Sequence, residues 1–169
     1  MSEQESGRTV VLGCGNLLGA DDGVGIVALE QLRAWDLPPE VELEDGGTWG
    51  LNLLPMIESA NRLLILDAID IGGAPGRLVQ LGRDEVPKLF STKLSPHQID
   101  LREVLALAAL RGTLPRETVV IGLQPARVEM STELSPVVAA RVPDLVAAAA
   151  ARLVRWGHSV APPTEVASA

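Results

Sequence analysis

The apolar positions of this chain fall into short dense runs that alternate with helical stripes. Thr9–Cys14 is a Val-rich run of the kind found in a strand buried on both faces. From Val24 the apolar residues recur as Val24, Val27, Ala28 and Leu32, a stripe at helical spacing that ends before Pro38. Val41–Glu44 reads as a short strand closed by Asp45-Gly46-Gly47, and Leu51, Leu54 and Ile57 mark a second helix. Arg62 to Asp67 is another buried strand. Pro75-Gly76 is a turn, and Arg77–Leu81 alternates like a half-exposed strand. Leu101–Leu110 is helical, Thr118–Leu123 is the last apolar strand, and Pro136–Trp156 is a long Ala-rich helix with a kink near Pro143.

Strands that alternate with helices predict an α/β sandwich around a mostly parallel sheet. No internal repeat and no dividing linker interrupts the pattern. The expected organisation is a flexible N-terminus over residues 1–8, one α/β domain over 9–157, and a disordered tail over 158–169 that carries Pro162-Pro163 and an inert His158. In such sheets ligands bind beyond the carboxyl ends of the strands. The residues that follow strands are therefore the ones to read for chemistry.

Composition narrows the function classes. The chain has 169 residues and 47% hydrophobic content, enough for one sizeable core, but only 2% aromatics, so Leu, Val, Ile and Ala must fill it. A net charge of −8 without any basic cluster argues against a nucleic-acid or anionic-membrane partner. The single cysteine, Cys14, excludes an intrachain disulfide or a zinc ribbon made by this chain alone. The polar N-terminus shows no signal peptide. The apolar stretch 137–151 is broken by Arg141, Pro143 and Asp144, so it cannot span a bilayer. A soluble cytoplasmic protein is expected.

The first strand leads into Gly13-Cys-Gly-Asn-Leu-Leu-Gly-Ala-Asp-Asp-Gly-Val-Gly25. A glycine turn before a helix is a common phosphate cradle, and Gly13, Gly15 and Gly19 come within one residue of a dinucleotide fingerprint. Glu42 and Glu44 downstream would suit a ribose. A noncatalytic nucleotide- or small-molecule-binding module is therefore one reading. Asp21 and Asp22 oppose it, because adjacent carboxylates repel a pyrophosphate and suit a cation.

Single residues remain open between structural and chemical roles. Asp22 fits a helix cap, which needs one acid and not two. Asp67 ends an apolar strand, where a carboxylate must be hydrogen-bonded, paired or metal-bound. His97 lies in Ser95-Pro96-His97-Gln98, a capping-box pattern with Pro at the first helical position. A ring in a first helical turn is kept neutral, the form that binds metals. Asp45 before Gly46 suits an Asx-type turn. Asp70 reads as surface, and Cys14 as a small core residue.

Taken together, the glycine-rich segment, Asp45-Gly-Gly-Thr-Trp-Gly50, Leu64-Ile-Leu-Asp-Ala-Ile69, Pro75-Gly76, Ser95-Pro-His-Gln98 and Gly122-Leu-Gln-Pro125 resemble the nickel–iron hydrogenase maturation endopeptidases. The matches keep the family's order and spacing over residues 9–156. The resemblance implies a three-layer α/β/α sandwich with a five-stranded, mainly parallel sheet whose first and third strands are neighbours. It places the family's three metal-site residues on Asp22, Asp67 and His97. Some members carry Glu where this chain has Asp22. It further implies cleavage of a C-terminal extension from the large-subunit precursor of a nickel–iron hydrogenase, with nickel presented by that substrate. Asp45 or Asp67 would then be available as general base.

Overall fold

The structure, a computed structural model, describes residues 7–47, 50–86 and 99–164. Its sheet contains β1 (Thr9–Cys14), β2 (Val41–Gly47), β3 (Arg62–Ala68), β4 (Leu78–Gly82) and β5 (Glu117–Leu123). Their spatial order is β2-β1-β3-β5-β4. All neighbours run parallel except β4, which lies antiparallel on β5 at one edge. The runs without alternation, β1, β3 and β5, take the three central places, where both faces are covered. The alternating run, β4, takes an edge with one face wet.

Helices cover both faces. Helix α1 (Val24–Leu32), the short α4 (Pro136–Ala139) and α5 (Val142–Arg155) lie on one side, with α2 (Leu54–Ser59) and α3 (Ile99–Leu110) on the other. Successive strand residues feed opposite cores: Val11, Leu64 and Ile121 pack with Leu29, Leu145 and Leu153, whereas Val10, Leu63 and Val120 pack with Ile57 and Leu105. This is the expected three-layer arrangement, with β1 beside β3.

Three local features depart from the sequence pattern. The helix expected over 136–156 is two helices, because Pro143 at the start of α5 has no N–H and its ring excludes the carbonyl a turn earlier. Strand β2 runs on through Gly47, so Asp45 lies within it, opposite Gly13 of β1. The disordered tail does not hold for residues 158–164. Asp36 and Ala161 exchange backbone hydrogen bonds of 2.9 and 3.1 Å, and His158 Nε2 lies 2.9 Å from Thr9 Oγ1. Val160 packs on the core edge, which gives these residues apolar burial that a polar tail would lack. Arg8 is likewise tied down, through Asn61 and Glu42.

Candidate active site at the carboxyl ends of β1, β2 and β3

Three carboxylates gather where the parallel strands end. Asp45 is in β2, Asp67 is the next-to-last residue of β3, and Asp22 sits in a single 3-10 turn, Ala20–Gly23, between β1 and α1. Cys14, the last residue of β1, lies among them, buried. Burial pushes its thiol well above the ordinary value, and the negative charges of Asp67, Asp45 and Asp22 push it further. Both causes favour the neutral thiol over the thiolate. The small-core expectation for Cys14 holds.

Gly15 lets the backbone of the turn that carries Asp22 pass close to the end of β3, where Asp67 lies. Its φ is +116°, and a Cβ there would lie 1.8 Å from the Asp22 carbonyl oxygen and 3.6 Å from Asp67 Oδ1. Only a residue without a side chain lets the two segments meet. Asp67 Oδ1 accepts the Ala68 N–H at 2.8 Å, and Asp22 Oδ2 accepts the Asn16 N–H at 3.2 Å. The N-cap position of α1 is Gly23, one residue beyond Asp22.

The adjacent acids are not a pair. Asp21 turns away from the cluster into the 126–135 loop. Its carboxylate accepts the N–H groups of Ala126 at 2.8 Å, Arg127 at 3.0 Å and Ser135 at 2.7 Å, and the Ser135 hydroxyl at 2.8 Å. Burial alone would raise its pKa, but these donors outweigh burial and hold it below the usual carboxylate value. The expectation that Asp21 joins Asp22 as a cation ligand is thus corrected. These bonds fasten the turn between β1 and α1 to the loop that follows β5. Backbone bonds complete the seam, from Ala20 N to Ser131 O at 2.8 Å and from Ser131 N to Leu18 O at 3.0 Å. Ala20 itself sits at φ +54°, a strained conformation for alanine that the seam sustains.

Gln124 braces the loop after β3 in the same manner. Its Oε1 accepts the N–H groups of Ile71 and Gly73 at 2.9 and 3.1 Å, and its Nε2 donates to Asp70 Oδ1 at 2.7 Å. Asp70, expected as a surface residue, is half-buried and part of this brace. Gln124 stood out in the sequence only as part of Gly122-Leu-Gln-Pro125, and nothing local to it pointed to a brace across 51 to 54 residues.

His97 lies outside the described residues. Among the described residues no three His, Cys, Asp or Glu side chains form a group ready to hold a metal ion. The donor set nonetheless fits a cation that brings ligands of its own. Asp22 and Asp67 offer hard oxygen donors at one strand-end crevice, and a bound ion would need its remaining ligands from elsewhere. The nucleotide reading loses support, since Glu42 is ion-paired with Arg8 and the crevice carries like charge to a pyrophosphate.

Known proteins resemble this chain over most of its length. Residues 26–152 match the HycI family, described as hydrogenase maturation protease. The hydrogenase expression/formation protein HupD of Rhodobacter capsulatus is 41% identical over 156 residues, covering 90% of this chain and 74% of the relative. HoxM of Cupriavidus necator, which carries the same description, is 44% identical over 158 residues, covering 92% and 78%. The solved structure of the hydrogenase maturating endopeptidase HybD from E. coli superposes with a TM-score of 0.85 at 36% identity, covering 92% of this chain and 97% of that one.

Proposed function

The chain belongs to the hydrogenase maturation protease family, and on that premise we propose that it removes a C-terminal extension from the large-subunit precursor of a nickel–iron hydrogenase, in the cytoplasm, only after nickel has entered that precursor. The observation that supports this reading is the packing of the Asp22 backbone and Asp67 Oδ1 against Gly15, with Asp45 opposite Gly13 on the neighbouring strand.

Nickel in this reading is part of the substrate. Asp22, Asp67 and His97 would hold it, two oxygens and one neutral imidazole nitrogen being suitable donors for a borderline divalent ion. Bound there, it would mark the mature precursor and add positive charge beside the scissile carbonyl. The chain's own part is to orient the peptide and to move a proton. Asp67 or Asp45, as a carboxylate, takes the proton of the attacking water, and the same group returns it to the leaving nitrogen.

Incubation of the purified chain with nickel-loaded and nickel-free precursor, followed by mass spectrometry, tests the proposal. Cleavage of the loaded precursor alone is the expected result. Equal cleavage of both removes the nickel requirement, and cleavage of neither removes the proposed activity.

A further inference from the structure

The loops that leave β1, β3 and β5 surround the carboxylates, and they are unusually apolar at their tips. Among the described residues, eight large apolar side chains are exposed. Five lie on these loops: Leu17 and Leu18 after β1, Ile71 after β3, and Val128 and Met130 after β5. The other three, Leu110, Val137 and Val154, lie on helices. Exposure is extreme for Met130, at 95%, and high for Leu18, at 61%. The backbone pairing of Leu18 and Gly19 with Ser131 holds the Leu17-Leu18 and Val128-Met130 tips side by side. Isolated exposed leucines are ordinary, but a grouping of apolar tips around one crevice marks a contact surface.

We propose that this rim is the docking surface for an apolar face of the precursor protein, the face next to the peptide bond that is cut. The inference rests on the function proposed above. Its argument is continuity: a protein that brings a peptide bond to Asp22 and Asp67 must cover the loops through which those residues are reached. Of the charged side chains beside the tips, Arg127 pairs with Glu129 at 3.4 Å, and Asp70 accepts the Gln124 amide N–H at 2.7 Å. Recognition on this rim is therefore apolar, and it is built on loops that Asp21 and Gln124 hold in place before the substrate arrives. Preformed loops lower the ordering cost of binding.

The test compares a rim variant, Leu18→Gln with Met130→Gln, against a control, Leu110→Gln with Val154→Gln, in steady-state cleavage of nickel-loaded precursor. The rim variant is expected to raise KM about tenfold or more, the size of a lost interface anchor, with kcat and melting temperature unchanged. The control should match the wild type. A rim variant with wild-type KM overturns the inference and leaves the proposed activity standing. A wild-type chain that cleaves no precursor removes both. Sedimentation that shows a wild-type dimer lost in the rim variant, with KM unchanged, assigns the surface to a second copy of this chain and also overturns the inference.

Discussion

Ser135 donates to the Asp21 carboxylate twice, through its backbone N–H at 2.7 Å and its hydroxyl at 2.8 Å, across a sequence separation of 114 residues. The pair is buried on both sides. It joins the turn that carries Asp22 to the loop that follows β5, so the position of one acid depends on the bonding of its neighbour.

Replacing Asp21 therefore acts on stability and on the site together. Asp21→Ala strands the N–H groups of Ala126, Arg127 and Ser135 and should cost about 2–4 kcal/mol, whereas Ser135→Ala removes one hydroxyl bond and should cost about 1 kcal/mol. The pH dependence has a definite sign. The folded-state pKa of Asp21 lies below its unfolded value, so the stabilisation is complete above the unfolded value, about 4, and is lost as pH falls through the folded value. Denaturant midpoints at pH 7 and at pH 3 to 4 check both statements. Asp21→Asn should flatten the acid limb, and a limb as steep as that of the wild type would contradict the clamp.

The layered fold was legible because β1, β3 and β5 carry uninterrupted apolar runs and β4 alternates, and burial enforces those periods. Asp22 and Asp67 were legible as acids at the ends of apolar strands, where an uncompensated buried carboxylate is costly. The different duties of Asp21 and Asp22 were not. Adjacent identical residues have identical local signals, and what separates them is a loop more than 100 residues away. The brace made by Gln124 escaped for the same reason, as did the docking of residues 158–164, which depends on Thr9 and Asp36.

Asp67→Asn and His97→Ala separate chemistry from folding. Asp67 is half-buried and accepts the adjacent Ala68 N–H, and an amide of the same shape keeps that acceptor. Each variant should lose precursor cleavage by about 100-fold or more while melting within a few degrees of the wild type. Cleavage at the native rate in either variant takes that residue out of the site. A collapsed melting temperature for His97→Ala assigns it a structural role.

His158 gives the protein a second acid sensitivity, nearer neutrality. Burial is the main cause of its lowered pKa, and the nearby Arg62 adds to it against the opposing charge of Glu40. A base whose folded pKa is depressed stabilises the fold above its unfolded pKa, about 6.5, and that contribution falls as pH drops toward the folded value, because the unfolded chain gains the proton first. The wild type should therefore lose stability between pH 7.5 and pH 5.5. His158→Gln can keep a hydrogen bond to Thr9 and should lose less over the same interval. Chemical denaturation at the two pH values measures the difference, and equal losses would mean that the ring does not titrate with folding.

The purified enzyme should hold divalent metal weakly. Only Asp22 and Asp67 of the expected ligands are among the described residues, and with His97 the chain would offer three donors without a thiolate. Carboxylate oxygens favour hard ions over nickel, and a three-donor site leaves several positions of the ion to water or to another molecule. If the precursor supplies those missing ligands, selectivity belongs to the pair of proteins, and the enzyme has no store of its own to lose. A chelator added to the enzyme should then remove little and leave its later activity on nickel-loaded precursor intact. The same chelator should also act poorly once nickel is enclosed in the precursor. Metal analysis of the isolated protein and calorimetric titration with Ni²⁺ decide the matter, with weak or unsaturable binding expected. One tightly held ion per chain would instead identify a resident metal, and the precursor would no longer need to bring it.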